Sequence, residues 1–224
     1  MRHAMRLLAA LMLVVPGALA ASPVVIADWA DVPVGHRGIP PGWVKQTFGS
    51  PKYDFAIVEA DGRKVLHMQS RGDDNSTITK EIRGRVNLKE TPILEWSWKV
   101  VTLPAGADAR KAATDDQAAQ VYVIWERFPQ VIRSQIIGYI WDTTASAGAV
   151  FKSQKTGTVT YVVVRSGSEG LGTWHTERRN VREDYMRIYG GDPPAPAALS
   201  VAINSQNTGT SAESFIGAIR FLPP

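Results

Sequence analysis

The sequence contains no cysteine. That excludes disulfide staples, thiol nucleophiles and thiolate metal sites, so the fold has to rest on its own core. Histidine is nearly as scarce: beyond the N-terminal segment only His36, His67 and His175 remain, and no two stand at zinc-ligand spacing. A Gly-x-Ser-x-Gly nucleophile turn is missing as well, since Gly167-Ser168-Glu169-Gly170 and Gly209-Thr210-Ser211-Ala212-Glu213 both have the wrong spacing. No block of Lys and Arg suited to a phosphate backbone occurs. The densest cluster, Arg178, Arg179 and Arg182, is interrupted by Glu177, Glu183 and Asp184, so nucleic acid is not an expected partner.

What is present begins with an address. Arg2, His3 and Arg6 form a basic start, Leu7 to Val15 an apolar run, Pro16-Gly17 a break, and Ala18-Leu19-Ala20 the small-x-small pattern of signal peptidase cleavage. The run is about half the ~20 residues a spanning helix needs, so no permanent membrane anchor is expected. Residues 1–20 thus read as a signal peptide and 21–224 as a single domain in the periplasm or outside the cell. The formal charge of +4 falls to about +2 when Arg2 and Arg6 leave with the signal.

In the remainder, alternation dominates. Ile93-Leu94-Glu95-Trp96-Ser97-Trp98-Lys99-Val100-Val101 places Leu94, Trp96, Trp98 and Val100 on one face and Glu95, Ser97 and Lys99 on the other. Two indoles on one face form either a core or a platform for a sugar ring, and the flanking apolar strands favour the core. Asp61-Gly62 joins Phe55 to Val58 and Lys64 to Gln69 as a tight hairpin. Ala118 to Trp125, Gln135 to Trp141 and Val159 to Val164 are apolar at nearly every position, as strands covered on both faces are. Trp29 and Trp43 sit in a Gly- and Pro-rich stretch and are expected to plug an end of the core. Trp174 to Tyr189 reads as the one helix, stopped by Gly190-Gly191. Of the seven tryptophans, one or two at most are expected to reach solvent. About eight to ten short strands, one late helix and no βαβ alternation predict an all-β, two-sheet antiparallel sandwich, a jelly roll.

Chemistry is sparse. Asp115-Asp116 lies at the end of a long loop, where adjacent acids suit hydrogen bonds to loop amides, an ion pair with an arginine, calcium, or catalysis. Asn204-Ser205-Gln206-Asn207-Thr208-Gly209 is a polar turn whose Asn204 and Asn207 amides suit sugar hydroxyls as well as their own loop. The charged segment that carries Arg179 reads first as a solvated helix face laced by i,i+3 and i,i+4 ion pairs; Arg179 is otherwise a candidate to hold a buried carboxylate, with Asp115 or Asp116 as its partner, or an anionic ligand. Trp141, with Tyr139, Trp125 and Trp174, completes an aromatic set compatible with stacking on a pyranose. No cofactor is called for, and calcium is the one ion that the Asp115-Asp116 pair suits.

Taken in order, Ser76-Thr77-Ile78, the Trp96-Ser97-Trp98-Lys99 strand, Asp115-Asp116, Tyr139-Ile140-Trp141, Arg179-Asn180-Val181 with Asp184-Tyr185, and Phe215 to Phe221 resemble an uncharacterised bacterial family, domain of unknown function 3047, over nearly the whole exported portion. The resemblance implies a galactose-binding-like or carbohydrate-module jelly roll and brings no established activity. An Asp-rich turn before the last strand would be expected of the family; here that turn, residues 204–209, has no carboxylate. The resulting expectation is a non-catalytic exported sandwich that binds a saccharide or envelope glycan. A glycan-cleaving enzyme using Asp115 or Asp116, and a structural envelope protein acting through protein contacts, are the alternatives.

Overall fold

A computed structural model describes residues 21–224, and the proposed signal peptide lies outside the described residues. The chain runs β1 (Val24–Ala27), β2 (Val44–Lys45), β3 (Asp54–Ala60), β4 (Arg63–Arg71), β5 (Asn75–Glu81), β6 (Ile93–Thr102), β7 (Ala119–Trp125), α1 (Gln130–Arg133), β8 (Gln135–Asp142), β9 (Val150–Lys152), β10 (Val159–Ser166), β11 (His175–Asn180), α2 (Val181–Tyr189), β12 (Ala198–Asn204) and β13 (Ser211–Leu222). One sheet has the order β11-β6-β13-β4-β3, with β1 joined to β13, and the other the order β2-β5-β12-β7-β8-β10-β9. Packed face to face, they make the two-sheet jelly-roll sandwich that the alternation predicts. The pairing is antiparallel except that β10 runs parallel to β8, because β9 turns back along the outer edge and β10 slots between them. Among the described residues no helix is long and apolar enough to cross a membrane.

The tryptophan strand is the centre of the core. Trp96 and Trp98 are fully buried and cross the sandwich to Tyr139 and Trp141 on β8, with ring centroids 5.3 and 6.1 Å apart. Trp29 and Trp43 are buried in the same core and stack on each other at 5.6 Å. The second sheet is covered on its other face too, by loops that carry Ala109 and Ala145 against Ile140, Tyr161 and Val163. That covering is why β7, β8 and β10 are apolar at almost every position. At the β3–β4 turn Asp61 and Gly62 both take positive φ, 52° and 72°, the geometry of a two-residue hairpin.

The helix is shorter than its sequence pattern predicts. His175–Asn180 is a strand on the edge of β6, and the helix starts only at Val181. Asn180 sets the boundary: its Oδ1 accepts the Glu183 amide at 3.2 Å and its Nδ2 donates to Glu183 Oε1 at 2.7 Å, a reciprocal cap. Charged residues at successive positions fit a strand as well as a helix, and pairing with the exposed edge of β6 decided the outcome.

Candidate functional site

Four of the residues singled out by sequence, Asp115, Asp116, Asn204 and Asn207, come together, the two acids buried and the two amides half-buried over them. Asp116 is fully buried and accepts the backbone amides of Asn207 (3.1 Å) and Thr208 (2.6 Å), anchoring the β12–β13 turn. Asn204 Oδ1 accepts the Gln117 amide at 2.7 Å while its Nδ2 donates to Asp115 O at 3.0 Å. Asn207 Nδ2 reaches Ala112 O at 3.0 Å. Asp115 receives Gln117 Nε2, Ser153 Oγ and Tyr161 OH at 2.7, 3.1 and 3.3 Å, all donors. The group therefore holds the long loop before β7 to the turn before β13. Among the described residues no cluster of three His, Asp or Glu side chains is placed to hold a metal.

Burial pushes the Asp115 carboxyl above the ordinary 3.8, against the three hydrogen bonds, which favour the charged form. A raised folded-state pKa contributes stability that is full below the unfolded pKa and lost as pH rises through the folded one. Asp115→Asn is thus expected to cost less than about 1 kcal/mol at pH 7 and to flatten the fall in stability from acidic to neutral pH, read by urea melts across that range.

The other two residues lie elsewhere. Trp141 is fully buried and donates to Gly167 O at 3.0 Å. Arg179 pairs with Asp184 on α2, at 2.9 Å from Nε and 2.6 Å from Nη2, and not with Asp115 or Asp116. Asp184 lies five residues on, where the first turn of α2 brings its carboxylate back over the strand, so the local partner wins.

The outer face of the first sheet presents a different constellation. Strand register lays three rows across it. The first is Arg178–Glu95–Arg220, the second Thr176–Ser97 facing Gly217 and Ala218, and the third Lys99–Phe215–His67, with Trp174 beside Lys99 at the head of β11. In the second row two residues of β13 oppose one of β6, a bulge that bends the strand. A side chain at 217 would collide with Ser97 Oγ, so glycine keeps this row low. Over the first and second rows opens a groove of about 270 Å³, lined by Ser97, Thr176, Gly217 and Ala218 with Arg63, Lys64, Asp28, Glu95 and Arg220 around them.

The third row is aromatic and cationic. Six tryptophans are buried, and Trp174 is the seventh, partly open to solvent. Its Nε1 donates to Asp61 Oδ2 at 2.8 Å, and Arg63 and Lys99 approach its ring at 5.3 and 5.4 Å. Phe215 and His67 stack at 4.3 Å, and His67 Nε2 meets Glu213 Oε1 at 2.7 Å. Lys99 reaches Asp61 Oδ2 at 2.6 Å and helps, with the Trp174 hydrogen bond, to hold that carboxyl below its usual range. In the first row burial pushes Glu95 up, but the hydrogen bonds and charges of Arg178 and Arg220, both 2.6 Å away, outweigh it and keep the group below the usual carboxylate range.

Trp174 stood in the aromatic set, and Lys99 and Phe215 belong to the strand segments that carry the family resemblance, but none of these pointed to a shared surface row. Lys99, Phe215 and His67 come from three strands and share a row only through register. The available signal was alternation: with Trp96 and Trp98 inward, Glu95, Ser97 and Lys99 had to face solvent.

A family described as "Protein of unknown function (DUF3047)" matches residues 41–220. It is the family that the strand and Asp-Asp motifs resemble. Among curated proteins no sequence matches the chain. Among solved structures, the chain is similar to the family 11 carbohydrate-binding module of cellulosomal cellulase Lic26A-Cel5E of Clostridium thermocellum, at 9% identity and TM-score 0.49, over 92% of this chain and 97% of that one. It is also similar to the family 30 carbohydrate-binding module of cellulosomal cellulase Cel9D-Cel44B of Clostridium thermocellum, at 15% identity and TM-score 0.46, over 91% and 98%.

Proposed function

The chain belongs to the DUF3047 family of unknown function, and from that premise we propose that it is an exported, non-catalytic module that binds a saccharide on the outer face of its first sheet. The observation that carries the reading is that the one tryptophan left partly open, Trp174, lies against Arg63, whose side chain forms part of the wall of a polar groove. An indole ring next to hydroxyls and guanidinium groups matches what a sugar offers, apolar C–H faces and a ring of hydroxyls. The groove is small for a ligand pocket and suits one ring of a chain that continues along the rows. Absence of catalysis is supported by the state of the carboxylates on this face: Glu95, Asp61 and Glu213 are each bonded to a cation or to His67 and Asp28 stands alone at the groove wall, so no pair stands free as acid and base. Export rests on the basic, apolar and small-x-small order of residues 1–20.

The test is a glycan array with purified protein, followed by titration of whichever sugar binds. Trp174→Ala is expected to weaken binding at least about tenfold, while the melting temperature moves by only a few degrees because the ring is not part of the core. Unchanged affinity in this variant would remove the outer face as the site.

A further inference from the structure

We infer that the saccharide bound here is acidic, its carboxylate or sulfate held by Arg220 and Arg63, which line the groove, and by Arg178, which shares Glu95 with Arg220. This rests on the saccharide-binding reading and deepens it. The first row places one carboxylate between two guanidinium groups: Glu95, 7% exposed, takes Arg178 Nε on Oε2 and Arg220 Nε on Oε1. Each arginine thereby uses its inner nitrogen, and among the described residues the terminal nitrogens of both have no hydrogen-bond partner. Their side chains remain 65% and 49% exposed. One buried negative charge between two positive ones leaves an unbalanced positive charge and fixes the orientation of both forks, which suits a second oxyanion from solvent.

The remaining walls add to this. Arg63, exposed and without a carboxylate partner among the described residues, lies over the Trp174 ring. Lys64 is fastened to Ala30 O at 2.8 Å. Against these stand Glu95, already neutralised, and Asp28, which accepts the Ala30 amide at 3.1 Å at the groove wall. Among the groove's own lining residues, Arg63, Lys64 and Arg220 therefore face two acids, and Arg178 adds a fourth cation behind Glu95. A neutral sugar would leave the terminal nitrogens of Arg178 and Arg220 to water, whereas a uronate or a sulfated sugar satisfies them in the fork geometry that guanidinium groups favour.

The experiment uses matched polymers that differ in charge alone. Polygalacturonate is compared with its methyl ester, alginate with its carboxyl-reduced form, and dextran sulfate with dextran, by affinity electrophoresis and calorimetry at low and high salt. At least one acidic form is expected to bind about tenfold tighter than its neutral partner at low salt, with the preference shrinking as salt rises. The carboxylate and sulfate arms separate the two oxyanions. Arg220→Gln is expected to bring the ratio of acidic to neutral affinity near one, and Arg178→Gln serves as the second variant if loss of Arg220 unsettles Glu95. If neutral forms bind as tightly as acidic ones and Trp174→Ala abolishes both, the acidic preference is overturned while saccharide binding stands. If no polymer of either kind binds, both fall.

Discussion

Replacing Trp96 by alanine is expected to lower the unfolding free energy by about 3–5 kcal/mol, a drop in melting temperature on the order of 10 °C. The ring is fully buried, meets Trp98 edge-on at 5.3 Å and lies 5.3 Å from Tyr139 of the opposite sheet. Neither strand can collapse into the space, because each is fixed by a partner on both sides, β6 by β11 and β13, β8 by β7 and β10. The cavity therefore persists and adds to the lost transfer energy. Trp96 Nε1 is buried with no hydrogen-bond partner, so the cost comes from packing alone. Trp96→Phe removes that unpaired donor and is expected to cost less than about 1.5 kcal/mol. A loss below about 1 kcal/mol for the alanine variant would mean the indole is not the centre of the core.

Asp184→Ala is the second large effect, expected at about 3–5 kcal/mol. Its carboxylate, 5% exposed, binds Arg179 through two nitrogens, Arg187 at 2.7 Å and the buried Tyr139 hydroxyl at 2.9 Å. Removing it strands a half-covered guanidinium and a buried phenol together, and an uncompensated charge is costlier than a lost pair. Arg187→Ala is the control: that side chain is 59% exposed, and its loss is expected to cost under about 1 kcal/mol. Because Tyr139 touches both Asp184 and Trp96, the two large substitutions should be non-additive, and denaturant melts of the double variant measure the coupling.

These two sites differ in how far the sequence announced them. Trp96 and Trp98 are separated by one residue in an alternating strand, so their common face followed from geometry, and the apolar neighbours indicated that it was buried. The Asp61-Gly62 hairpin was equally local. Arg179 was recognisable as an arginine seeking a carboxylate, but its partner depended on where α2 begins, and the six residues from His175 to Asn180 have too few apolar positions to separate the two periodicities. Asp116 and Asn207 both stood out as loop residues. That one anchors the other's backbone across 91 positions is a consequence of packing that no local pattern carries.

The outer-face row was the least legible feature. Trp174, Lys99, Phe215 and His67 are contributed by four separate stretches of chain, and apart from Trp174, which stood in the aromatic set, each alone gives no sign of a binding surface. Only the register of β11, β6, β13 and β4 makes a row of them, and only the bulge at Gly217 opens the groove beside it. Asp115, Asp116, Asn204 and Asn207 were read from sequence for their polarity in loops. All four became the internal fastening of those loops, since polar groups in a covered loop must find partners.

The most direct measurement follows the indole N–H resonances of all seven tryptophans by ¹H–¹⁵N NMR while a bound saccharide is titrated in. The account predicts that the Trp174 signal moves with the ligand while the six core indoles stay in place, and that the Ser97, Thr176 and Gly217 amides shift along with it. Shifts confined to the Asn204–Thr208 turn and the Asp115–Asp116 loop, with Trp174 unmoved, would contradict it.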